Sequence, residues 1–200
     1  MNGDLFGEPL WRTAQLDPPW LEAGGGGRGA QNHYPLMPVR DIARAVLGSG
    51  LWRPHADAHL WTWFTDNFLE DALWLVARLG FRYVRTFVWV KTKGDVAPDA
   101  DAPPVRLSLG QYARGAHESM LFAVRGEGMA PEVMTERRDL ASVFYAPVPA
   151  VDGARVHSRK PDRAYELIEA RSRGPYLECF ARRGRAGWMT WGNEPIEAAS

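Results

Sequence analysis

Strand-like apolar runs alternate with helix-like stretches along this chain, and glycine or proline breaks separate them. That interleaving selects an α/β fold with a mostly parallel central sheet and flanking helices. Strands are expected over Thr13 to Leu16, His59 to Phe64 and Phe81 to Lys91, then from Ser119 through SMLFAVRG and from Tyr176 through YLECFAR. Helices are expected over Pro38 to Leu47, Asn67 to Leu79 and Asp162 to Ser172. Proline opens the first, Thr65 or Asp66 caps the second, and Gly80 closes it. At 200 residues and 46% hydrophobic content, the chain can bury one core. The reading is therefore a single domain over residues 1–200, with flexible loops at about 22–36 and 92–115.

The first strand stops at Asp17 because Pro18 and Pro19 cannot donate to a ladder. Asp17 then lies at a carboxyl end, the edge where open α/β sheets bind ligands. The loop GGGGRGAQNHYPLM, Gly24 to Met37, and the Pro- and Gly-rich stretch from Thr92 to Gly115 flank this candidate site.

Composition narrows the partners. With 24 basic and 24 acidic residues, no overall basic field announces nucleic acid, so any such contact needs a local patch. The single Cys179 excludes an intramolecular disulfide and a cysteine-rich zinc site, and fits a reducing cytoplasmic compartment. No apolar run reaches membrane-spanning length, and the first ten residues lack a signal-peptide pattern. Nine tryptophans could stack bases, but most are expected in the core.

Asp17-Pro18-Pro19-Trp20 is the first string with chemistry in it. The Asp17 carboxylate and the Pro18 carbonyl can accept the two hydrogens of a planar exocyclic amine such as that of adenine, and the Trp20 ring can stack on the base. The Pro-Pro pair fixes that geometry. Aligning amine and methyl donor can supply roughly 7–11 kcal/mol of the barrier without a strong base.

Read together, six collinear strings are similar to one family. They are DPPW at Asp17, RGAQNHYPLM at Arg28, FVWVK at Phe87, GQYARGAHESMLFAVRG at Gly110, HSRKPD at His157 and YLECFARRGRAGWMTWGNE at Tyr176. The chain resembles the catalytic subunit of the eukaryotic messenger-RNA adenosine methyltransferase and its bacterial and phage relatives, the latter branch more closely. The resemblance implies a permuted Rossmann-like fold that uses S-adenosylmethionine, with the catalytic half first and the cofactor half last. It implies Asp17, Pro18, Pro19 and Trp20 as catalytic residues. Asp17, Lys91, Glu178, Phe180, Arg182, Asn193 and Glu194 would hold the cofactor, Lys91 through its carboxylate. Trp20, His33, Tyr34, Gln111 and Arg114 would face the substrate. The target adenine must be unstacked or single-stranded to be reached.

Other polar residues carry plainer readings. His33 and His117 are not needed as acids or bases for this transfer. His157, Ser158 and Lys160 precede Pro161 and read as polar groups that cap and anchor a helix start. No metal is implied. Arg182 fits the cofactor, whereas Arg183 and Arg185 read as phosphate contacts or surface charge. Cys179 stands where the family commonly has leucine. No target-recognition domain is evident, which leaves low sequence selectivity, a partner subunit or a homodimer as alternatives. The first functional reading is an adenine N6-methyltransferase acting on nucleic acid, DNA before RNA. Its rival is a non-catalytic binding or scaffold subunit.

Overall fold

The computed structural model describes residues 10–21, 36–96, 103–108, 112–151, 154–155 and 159–192. Its elements run β1 (Trp11–Leu16), α1 (Val39–Gly48), β2 (Pro54–Phe64), α2 (Leu69–Arg78), β3 (Arg82–Thr92), β4 (His117–Arg125) and β5 (Val143–Pro147). After a small pair, β6 (Ala150–Val151) and β7 (Ala154–Arg155), come α3 (Asp162–Arg171), β8 (Tyr176–Cys179) and β9 (Trp188–Trp191). Seven strands form one sheet in the order β5-β3-β4-β2-β1-β8-β9. Strand β4 pairs antiparallel with β2 and β3, and the remaining pairings in that sheet are parallel.

The position of β1 joins distant parts of the chain. It lies between β2, its neighbour in sequence, and β8, with Thr13 opposite Tyr176 and Leu16 opposite Cys179. The carboxyl ends of β1 and β8 therefore meet, although long chain separates them. This is the permuted Rossmann-like arrangement expected from the sequence.

Both faces of the sheet are covered. On one, α1 buries Ile42, Ala43 and Val46, and α2 buries Ala72, Leu75 and Val76, against Trp11, Leu16, Leu60 and Leu121. On the other, α3 buries Ala164, Leu167 and Ile168 against Trp61, Trp63, Phe87, Trp89 and Met120. Alternate β2 side chains serve the two cores, Leu60 and Phe64 one, Trp61 and Trp63 the other. That explains why HLWTWF carries no polar alternation. Six of the nine tryptophans, Trp11, Trp20, Trp61, Trp63, Trp89 and Trp188, are buried, so packing rather than base stacking accounts for most of them.

Several boundaries differ from expectation. Pro38 and Pro161 stand just outside α1 and α3 as N-cap residues, with no side-chain cap. The second helix starts as a 3-10 turn at Asp66–Phe68, and neither Thr65 nor Phe68 caps through its side chain. Gly80 does follow its end, at φ +86°, a conformation costly for other residues. Strands β5 and β9 escaped the sequence reading. Each is a short edge strand, too brief for a period-two signal to stand out.

The loop expected from Thr92 begins one residue later, and its described parts fold back on β3. Arg106 N–H donates to the Lys91 carbonyl at 2.7 Å, and Lys93 N–H to the Pro104 carbonyl at 3.0 Å. Most of the glycine-rich loop lies outside the described residues.

Candidate active site

At the end of β1 the Asp17 N–H donates to the Cys179 carbonyl at 3.3 Å, tying the Pro-Pro turn to the end of β8. Trp20 N–H then donates to the Pro18 carbonyl at 2.9 Å, and Met37 N–H to the Pro19 carbonyl at 2.8 Å. A carbonyl has a second lone pair, so Pro18 keeps one acceptor position. The Trp20 indole N–H donates to the Trp63 carbonyl at 3.0 Å, and its ring stacks on Phe68 with centroids 5.6 Å apart. Only 8% of Trp20 is exposed, so here its ring supports the turn rather than offering an open stacking face.

Four charged side chains alternate in sign beside this turn. The Lys160 ammonium lies 2.9 Å from Asp17 Oδ1 and 3.2 Å from Glu118 Oε2, and the Lys91 ammonium 2.6 Å from Glu118 Oε1. Both lysines also sit over indole rings, Lys160 over Trp63 and Lys91 over Trp89, each 5.2 Å from the centroid. Burial alone would push Glu118 up, but the two ammonium groups hold it down at about 2. Burial likewise opposes the charge on Lys160, yet Asp17 and Glu118 raise it and keep the ammonium protonated.

The sequence reading missed Glu118 and placed Lys160 wrongly. Lys160 was expected to anchor a helix start; instead it is buried among the acids of the site. Lys91 faces Glu118, and the lysine against Asp17 is Lys160. The sequence around Lys160 marks only a helix start at Pro161, and its long stem is what lets the ammonium reach the sheet edge.

Beneath the turn, Glu178 on β8 is buried. Its carboxylate accepts the Tyr165 hydroxyl at 2.8 Å and the Gln15 amide at 3.2 Å. Burial first, and then the Asp17 charge, raise Glu178 to about 7 against these two hydrogen bonds. Its second oxygen has no partner, and a retained proton there is the form that burial favours.

Phe180, the next residue after Cys179, takes φ +63°, a left-handed conformation rare for an aromatic residue. It turns the chain at the carboxyl edge of β8, where no glycine-rich motif is present. Its ring packs edge-on against Trp191 at 5.1 Å. Arg182 follows, close enough to Lys160 to oppose its charge. Arg183 and Arg185 are bound to α3 rather than being loose surface charge. Arg183 pairs with Asp162, and Arg185 with Glu169 at 3.1 Å while its guanidinium covers the Tyr165 ring at 4.6 Å. Gly192 closes this wall, since a Cβ there would stand 2.3 Å from the Ala181 carbonyl oxygen.

Arg114 turns back into its own loop, its Nε–H donating to the Ser108 carbonyl at 2.9 Å. His117 stands 3.5 Å from Asp66 at the surface. The expected contacts His33, Tyr34, Gln111, Asn193 and Glu194 lie outside the described residues. Among the described residues, no group of acidic, histidine or cysteine side chains is arranged to hold a metal, and no helix is long and apolar enough to cross a membrane.

A mostly parallel sheet with β1 and β8 adjacent out of chain order, bearing an acidic Pro-Pro turn and a glycine-free turn at touching carboxyl ends, fits the Rossmann-like methyltransferase class expected from the sequence. The chain belongs to the MT-A70 family, which matches residues 16–194. Similar proteins include the N6-methyladenosine RNA methyltransferase MTA1 of Cryphonectria parasitica, 27% identical over 94% of this chain and 53% of that protein. The MTA1 of Pyricularia oryzae is 25% identical over 96% of this chain and 49% of its own length. The N(6)-adenine-specific methyltransferase METTL4 of Mus musculus is 26% identical, covering 91% and 37%. The chain thus spans about half the length, or less, of these relatives.

Proposed function

We propose that this chain transfers a methyl group from S-adenosylmethionine to the N6 amine of adenine in nucleic acid. The observation that carries the reading is the Asp17–Lys160 pair at the joined carboxyl ends of β1 and β8. One carboxylate and one ammonium 2.9 Å apart complement the amino-acid zwitterion of that cofactor, so the donor set fits it. Lys160 would hold its carboxylate and Asp17 its amino group, with Arg182, Phe180 and the wall closed by Gly192 enclosing the rest. When bound, the cofactor supplies an electrophilic methyl group.

The chain's own residues do the remainder. Asp17 Oδ1 is engaged by Lys160, which leaves Oδ2 to accept one hydrogen of the target amine, and the Pro18 carbonyl accepts the other. Drawing both hydrogens into one plane of acceptors turns the nitrogen lone pair out of the ring and toward the methyl donor. Trp20 and Phe68 keep the turn from shifting. DNA is the first substrate on the likeness to bacterial and phage enzymes; the fungal relatives named as RNA methyltransferases support RNA as the second.

The test incubates the protein with labelled cofactor and single-stranded DNA, duplex DNA or RNA, beside Asp17→Asn. The variant keeps the side-chain shape and leaves Lys160 paired with Glu118, so it should fold. Transfer is expected to fall by about 100-fold or more, the scale of a misaligned reacting group. Transfer at the wild-type rate in Asp17→Asn would sink the mechanism. Cofactor binding without transfer to any of the three substrates would favour a scaffold role.

A further inference from the structure

We propose that Tyr112 is a stacking platform for an unpaired base next to the target adenine, an inference that rests on the nucleic-acid methylation reading above. Tyr112 is fully exposed, and no described residue packs on its ring in the structure. An aromatic ring held wholly in water gains nothing from burial, so packing does not account for it.

The base of its loop is fixed relative to the site. The Lys91 N–H donates to the Ala116 carbonyl at 2.8 Å, and Arg106 N–H returns to the Lys91 carbonyl at 2.7 Å. Higher in the loop, the Ser108 amide and hydroxyl both donate to the Gly115 carbonyl, at 2.7 and 2.8 Å, and Arg114 donates to Ser108. The neck of the loop is therefore clamped to the strand ends that carry Lys91 and Glu118, and Tyr112 stands beyond that clamp.

The surroundings suit a single strand. Leu107 and Val105 on the same loop are exposed apolar groups. The described residues 103–108 and 112–116 contain Arg106 and Arg114 and no carboxylate. The first half of the loop carries Lys93, Asp95, Asp99 and Asp101, so the loop as a whole is balanced and its unopposed basic residues fall in the half that bears Tyr112. Cations to follow a phosphate backbone and a ring to stack a base are the elements of single-strand binding. Arg114, the contact expected from sequence, also braces the loop that presents Tyr112 through its Nε–H.

Anisotropy of a labelled single-stranded oligonucleotide, as DNA and as RNA, reads stacking without any transfer. Tyr112→Ala is expected to weaken binding by about 5- to 100-fold, the range for loss of one base–aromatic stack, whereas Tyr112→Phe stays within about twofold. An oligonucleotide abasic beside the target should lose the same factor with wild-type protein, and the two losses should not add. Equal affinity of Tyr112→Ala and wild type, or losses that add in full, would overturn the proposal. A parallel transfer assay with wild-type protein separates this result from failure of the methylation reading, because stacking can be lost or kept whether or not the methyl moves.

Discussion

Lys160→Met is expected to destabilise the protein by about 3–5 kcal/mol, the cost of removing one partner from a buried ion network, and to abolish measurable cofactor binding. Lys160 is the cation shared by Asp17 and Glu118; without it both carboxylates face one another with Lys91 left to compensate Glu118 alone. Lys91→Met removes a terminal member that is 18% exposed and should cost less. Urea denaturation and calorimetric titration with the cofactor measure both effects. Combining Lys160→Met with Asp17→Asn should recover part of the lost stability, because the uncompensated charge goes with it. An unchanged unfolding midpoint with unchanged cofactor affinity in Lys160→Met would remove Lys160 from the site.

The second large effect is hidden in the wild-type pH profile. His59 is buried, with Nε2 2.7 Å from the Gly128 carbonyl and Nδ1 2.7 Å from the Ser172 hydroxyl. A carbonyl only accepts, so Nε2 carries the hydrogen and Nδ1 accepts from Ser172. The Ser172 oxygen in turn accepts the Trp61 indole N–H at 3.2 Å. Burial first, with Arg171 nearby, holds His59 down at about 4 despite the bond to Gly128. The unfolded chain then binds a proton near 6.5 that the folded chain refuses, so this group's stability is present above 6.5 and lost as pH falls through 4.

Glu178 works in the opposite sense. Its folded value near 7 exceeds the unfolded 4.5, so its contribution is full below 4.5 and lost as pH rises through 7. Each is worth about 3 kcal/mol across its interval. Between pH 4.5 and 6.5 the two slopes oppose each other, and the wild type should show a plateau. Glu178→Gln should expose the histidine and gain stability with rising pH. His59→Gln should expose the glutamate and lose stability over the same range. Denaturant melts at half-unit steps of pH decide it: two variants with parallel profiles would show that neither group titrates as described. Below 4.5 Glu118, held low by its lysines, adds a further loss on acidification.

Much of the fold was legible because strands buried on both faces leave continuous apolar runs, as in HLWTWF and SMLFAVRG. Asp17 was legible because consecutive prolines end a strand wherever they occur. Lys160 was not, because local chain chemistry around Pro161 describes a helix start and says nothing about where a long side chain ends. Glu118 sits at the start of a strand whose apolar part begins two residues later, at Met120, so nothing in its own neighbourhood marks it; only the antiparallel pairing of β4 with β3, Trp89 opposite Glu118, brings it to Lys91. The packing of Trp20 was not legible for a similar reason. Its partners, Phe68 and the Trp63 carbonyl, come from the far end of β2 and the turn after it.

The adjacency of β1 and β8 has a consequence for biosynthesis. The Gln15–Glu178 contact joins residues 163 apart, so a chain emerging from the ribosome makes the acidic turn early and its second neighbouring strand late. Until β8 arrives, one edge of β1 has no partner and presents free backbone groups to any extended segment nearby. That edge stays unpaired from the synthesis of Leu16 until that of Tyr176, and a truncation between them should yield aggregates rather than a folded fragment.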